Sequence, residues 1–115
     1  MTATVRTAAL TASVCLFWGA SAAHAENWVR VVDNPGGNTT YIDVDVDSIR
    51  KDADGLVYFS QQDDWDSETI AVNCQTRERY TLDYWKARGG DWRSHPLETT
   101  GIGNDVLDFV CARAK

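Results

Sequence analysis

Basic residues are scarce in this sequence. Its 115 residues hold 11 Lys and Arg against 17 Asp and Glu, a formal net charge of −6 at pH 7. Phosphate backbones are bound by basic stripes, so no nucleic-acid partner is expected, and anionic lipid is disfavoured on the same ground. Histidine is scarcer still: there are two, His24 in the N-terminal leader and His95 beside Pro96. With so few His and Cys ligands, zinc chemistry has no set of residues to stand on. Neither a G-x-S-x-G elbow nor a phosphate-cradling glycine motif occurs. Paired carboxylates discriminate nothing in so acidic a chain. The expectation is a protein that is not an enzyme and carries no cofactor or metal. Long hydrophobic runs are also missing, since none reaches the roughly 20 residues of a membrane span.

What is present begins with an export leader. Residues 1–25 read as a secretory signal peptide, with Arg6 as their only charge and a mostly apolar run over residues 8–23. Thr11, Ser13, Gly19 and Ser21 interrupt that run, and Ala23-His24-Ala25 supplies a small-x-small cleavage site before Glu26. An uncleaved anchor is the alternative. Cys15 follows Val14 and the apolar run continues past it, which argues against a lipidated cysteine. The expected mature domain is residues 26–115, exported to the periplasm or cell surface, with no transmembrane segment after cleavage. Loss of the leader removes Arg6 and no acid, so the domain is more acidic than the whole chain. At roughly 90 residues it buries only about 60–65% of its unfolded surface, a marginal core.

Cleavage leaves Cys74 and Cys111. In an oxidising compartment an even pair reads most simply as a disulfide, closing a loop worth roughly 4 kcal/mol by chain entropy. Two buried free thiols are the alternative.

Turn signals recur at short intervals: Asn34-Pro35-Gly36-Gly37-Asn38, Asp52-Ala53-Asp54-Gly55, Asp63-Asp64 and Gly89-Gly90-Asp91. Between them lie β-branched and aromatic runs over residues 28–32, 39–44, 56–61 and a long one over 69–86. In the long run Ile70, Val72, Cys74, Tyr80, Leu82 and Tyr84 share one phase of a period-two pattern. Asn73, Gln75, Arg77, Arg79, Thr81 and Asp83 share the other, with a bend expected near Glu78. A short helical turn is expected at residues 47–51. Towards the end, Gly101 and Gly103 break the chain, and Asn104 or Asp105 can cap a helix reaching about Ala114. Its stripe of Val106, Leu107, Val110, Cys111 and Ala114 would cover the sheet. The expected fold class is α+β: an antiparallel meander of five or six strands with a C-terminal helix tethered by Cys74–Cys111.

Two acidic stretches mimic cation sites. Residues 43–54 place Asp43, Asp45, Asp47 and Asp54 at positions 1, 3, 5 and 12 of a would-be calcium loop. Ser48 stands where that loop needs glycine, Asp54 where it needs a bidentate Glu, and a strand precedes it, so a solvated strand end is preferred. Asp63, Asp64, Asp66 and Glu68 surround Trp65 and read as a charged loop between strands. Trp28, Tyr41, Tyr58 and Trp92 read as packing aromatics. Trp85 falls on the polar phase beside Arg77 and Arg79, which makes these three the candidate protein-binding residues.

In order, Trp28, Tyr41-Ile42-Asp43, Ser48-Ile49, Cys74 with Arg77, Trp92 and Val110-Cys111 form a set that resembles the surface-adhesin protein E family of small exported bacterial proteins. The likeness covers nearly the whole mature domain, through motifs that are each short. It implies a Gram-negative source and the same disulfide-tethered sheet and helix. It also implies adhesion to host extracellular-matrix proteins such as vitronectin and laminin. The chain departs from the adhesin type in lacking a lipobox, and the shared motifs are scaffold residues, so no ligand-contact residue carries over. The expected function is an adhesin-like module contacting a protein partner. The alternative is a soluble periplasmic domain that binds a small ligand or serves the envelope structurally.

Overall fold

Each hairpin turn is closed by a short polar side chain. The structure is a computed structural model and describes residues 26–114; the expected leader lies outside the described residues. Six strands pair in sequence order as an antiparallel meander: β1 (Trp28–Asp33), β2 (Tyr41–Lys51), β3 (Val57–Asp63), β4 (Ser67–Asn73), β5 (Glu78–Thr81) and β6 (Leu97–Glu98). Helix α1 (Leu82–Ala87) follows β5 directly, a 3₁₀ turn (Trp92–Ser94) precedes β6, and helix α2 (Ile102–Arg113) ends the chain. The α+β meander with its C-terminal helix is therefore the observed architecture.

Between β2 and β3, the Asp54 carboxylate accepts from the Leu56 amide at 2.9 Å and Gly55 takes a φ of +85°, which a side chain would resist. Between β3 and β4, Asp63 Oδ1 accepts from the amides of Trp65 and Asp66 at 2.8 and 3.0 Å. In β2, residues 46–49 stand opposite Phe59 alone, because Asp45 pairs with Ser60 and Arg50 with Tyr58. Ser48 stabilises this bulge by donating to the Asp45 carbonyl (2.6 Å) and accepting from the Ser60 amide (2.8 Å). The helical turn expected at residues 47–51 is thus a bulged strand.

The long run is not one strand. Asn73 Oδ1 accepts from the amides of Gln75 and Thr76, the Arg77 amide reaches back to the Asn73 carbonyl at 2.8 Å, and Arg77 takes a φ of +62°. The chain reverses there, and Val72 pairs with Arg79 while Ala71 pairs with Tyr80. Residues directly opposite in a sheet share a face. Arg79 therefore lies on the face of Ile70 and Val72, and Tyr80 on the other. The period-two assignment across the turn inverts.

Both faces of the sheet are consequently covered. On one, Val44, Val57, Phe59, Ile70 and Val72 pack with Val106, Leu107 and Val110 of α2. On the other, Leu56, Tyr58 and Ala71 pack with Leu82 of α1 and Trp92 of the 3₁₀ turn. Trp92 meets Tyr58 and Tyr80 edge-on, with ring centroids 6.0 and 5.6 Å apart. Cys74, in the β4–β5 turn, is bonded to Cys111 of α2 with their Cα atoms 5.9 Å apart. Gly101 occupies the N-cap of α2 without a side-chain cap. Asn104, one of the expected caps, instead accepts from Arg77 Nη2 at 3.3 Å.

Candidate binding surfaces

The three residues expected on one polar sheet face stand in three different settings. Arg77 lies in the seam between the β4–β5 turn and α2, with Nη1 3.0 Å from Asp108 Oδ1. Its carbonyl accepts from the Thr99 amide at 3.2 Å, and the Thr99 hydroxyl sits 2.8 Å away. Arg79 points to the α2 side of the sheet and lines a groove there. Trp85 belongs to α1, not to a strand, and its ring lies flat on His95 at 3.7 Å with an 8° tilt. The free polar face is a casualty of the reversal at Asn73–Arg77: the strand is shorter than its period suggests, and helix α1 and Trp92 cover what it would have exposed.

Two concave surfaces among the described residues stand out. The first is an apolar shelf of about 520 Å³ lined by Thr81, Tyr84, Trp85, Ser94, His95, Pro96 and Leu97. Its Trp85–His95 stack is held from behind by the Gly89-Gly90 turn, where the Gly90 amide donates to the Trp85 carbonyl at 2.9 Å. A Cβ at position 90 would sit 3.0 Å from Trp85 Cε3, so a side chain there would press on the indole. Tyr84 and Leu97 are 48% and 44% exposed, large apolar side chains left half in water. The Arg88 guanidinium lies 3.6 Å above the Tyr84 ring and donates to the Tyr84 carbonyl, which fixes the tyrosine in place.

The second is a groove of about 290 Å³ between α2 and strands β3–β5. Phe59, Ile70, Val72, Val106 and Leu107 floor it, and Asp63, Glu68, Arg79, Glu98 and Thr100 stand around it. Burial pushes the Glu68 carboxyl above the ordinary range, opposed by the Arg79 guanidinium and reinforced by Asp63, Asp66 and Asp83. Glu68 is thus a partly desolvated carboxyl at the edge of the groove.

Several other acids are committed to structure. Asp43 pairs with Arg30, and Asp45 accepts from the amides of Asn27 and Asp47, both at 3.1 Å. The Tyr58 hydroxyl donates to Asp54 at 2.6 Å and holds that carboxyl below its ordinary range, while burial raises the tyrosine. Thr40 does the same for Asp64, its hydroxyl donating at 2.6 Å. The would-be calcium loop is spread along β2 and its hairpin, and among the described residues no three metal-ligating side chains come together. Trp65, at the tip of the β3–β4 turn, is 78% exposed.

Tyr84, His95, Leu97 and Glu68 escape a strand-by-strand reading. The signal that could have found the first was Gly89-Gly90, a helix stop that marks the preceding segment as α1. Among the described residues no helix is long and apolar enough to cross a membrane. Compared with known proteins, the chain matches no family model, no curated protein and no solved structure.

Proposed function

We infer that this chain is an exported, non-enzymatic binding module, adhesin-like, that contacts a protein partner through the Tyr84–Leu97 shelf. The observation that carries the reading is the shelf itself: two half-exposed apolar side chains over a stacked Trp85–His95 floor. Trp, Tyr and Arg dominate the energetics of protein contacts, and here Trp85, Tyr84 and Arg88 stand together. Arg88, stacked on the Tyr84 ring, sets a cation beside the shelf, so the fitting partner presents an acidic loop carrying an apolar side chain. The disulfide suits an oxidising compartment, which fits export.

Solid-phase binding of the protein, produced from the full chain, to a panel including vitronectin and laminin tests this. Binding should fall about tenfold, roughly 1.4 kcal/mol, in Tyr84→Ala and in Leu97→Ala, and stay unchanged in Arg50→Ala. Equal binding by all the variants would place the contact elsewhere. Failure of every panel protein to bind would turn the reading to the periplasmic alternative.

A further inference from the structure

We propose that the β3–β4 turn, through the exposed indole of Trp65, is a docking point for an arginine- or lysine-bearing peptide segment of a partner protein. This is a second surface, separate from the shelf and independent of the reading given to it. It rests on what the other aromatic rings have and Trp65 lacks. Tyr41, Tyr58, Tyr84, Trp92 and Phe109 each lie under a guanidinium of this chain, between 3.6 and 4.7 Å from the ring centroid. The Trp85 ring is covered by His95 instead. Trp65 is 78% exposed, and among the described residues it lies under no cation and against no other ring. Indole is the aromatic surface that attracts a cation most strongly, so the ring best suited to a guanidinium or ammonium is one that this chain leaves uncovered.

The charge around the ring has the sign that such a partner needs. No Lys or Arg stands between Lys51 and Arg77 in the sequence, while Asp63, Asp64 and Asp66 flank Trp65. Asp83 of α1 lies beside the same end of β4, its carboxylate accepting from the Thr69 amide at 2.8 Å. Among the described residues the ion pairs are made by other acids, Asp43, Asp52, Asp54 and Asp108. An incoming cation therefore meets unpaired negative charge beside an open aromatic face, which steers it in and turns acidic partners away. A second copy of this chain, itself of net charge −6, is repelled by the same field. The turn is also held in shape before anything binds. Asp63 Oδ1 accepts from the Trp65 amide at 2.8 Å, and the Asp63 amide donates to the Asp66 carbonyl at 3.0 Å. Asp64 ties the turn to the start of β2 by accepting from the Thr40 hydroxyl at 2.6 Å and the Tyr41 amide at 3.2 Å. A backbone fixed in this way lowers the ordering cost of presenting the indole.

The test is a titration of the protein, produced from the full chain, with acetyl-tetra-arginine amide and acetyl-tetra-lysine amide, followed by amide and indole N–H shifts at low salt. The control is acetyl-tetra-glutamine amide, of similar length and no charge. Saturable shifts should centre on residues 63–68 and on the Trp65 indole, with the glutamine peptide at least about tenfold weaker. Trp65→Leu should weaken the arginine peptide about fivefold and Trp65→Phe by less, with the thermal midpoint unmoved because the side chain is exposed. Asp66→Asn should weaken it about threefold. Undiminished binding by Trp65→Leu would overturn the proposal in favour of a diffuse acidic field. So would shifts centred outside the turn, or no saturation by roughly 10 mM peptide, where a millimolar site would be nearly full. Indole shifts with phosphatidylcholine vesicles and none with either cationic peptide would assign Trp65 to a lipid surface and overturn it equally.

Discussion

Replacing Cys111 by serine should destabilise the domain by roughly 2–5 kcal/mol, a large share of the 5–13 kcal/mol that a chain of this size commands. The bond joins residues 37 apart and ties the β4–β5 turn to the last turns of α2. Without it α2 is held by apolar contacts, chiefly of Val106, Leu107 and Val110, and by exposed polar links such as the Arg77–Asp108 pair. Exposed ion pairs contribute little, so they cannot substitute for the covalent link. Urea unfolding followed by circular dichroism checks this. Cys74→Ser should lose the same amount, and the double variant no more than either single one, because all three remove the same bond. Single variants as stable as the parent would show that the tether contributes nothing.

Trp92→Ala should cost about 3–5 kcal/mol. Trp92 is 7% exposed and closes the face of the sheet opposite α2, against Tyr58, Tyr80 and the Arg93 guanidinium 4.2 Å above its ring. Its removal opens a cavity between β3–β5 and α1 and loosens the shelf, since Ser94 and His95 follow it directly. The unfolding midpoint in urea reads the loss. A change under about 1 kcal/mol would mean that this face is open to solvent and has no second core.

Much of this architecture is legible from residue types. Period-two runs bounded by Gly, Asn and Asp mark the hairpins, and Val106, Leu107, Val110 and Cys111 mark the buried stripe of α2. Cys74 and Cys111 pair because each lies on the side of its element that faces the other. What the residue pattern hides is the reversal at Asn73–Arg77. That turn contains neither Gly nor Pro; Asn73 builds it with its side chain, and Arg77 takes a left-handed φ that arginine rarely adopts. Missing it merges β4, β5 and α1 into one strand and moves Arg79 and Tyr80 to the wrong faces. The candidate surfaces inherit the error: a polar sheet face is expected, and a helix-borne shelf and a groove are found. Glu68 is hidden for another reason, since in sequence it is one acid among several around Trp65, and only burial in the folded chain desolvates it.

The central claim is a meander clad on both faces, with its contact surfaces at the shelf and the β3–β4 turn rather than on an open sheet. A nuclear Overhauser spectrum of the protein with its disulfide intact tests it most directly. The account predicts cross-peaks from the Trp92 indole to the Tyr58 and Tyr80 rings and from the Trp85 indole to the His95 ring, with Val72 connected to Leu107 on the far side. Cross-peaks from Trp85 to the Arg77 and Arg79 side chains, with Trp92 free of both tyrosines, would contradict it.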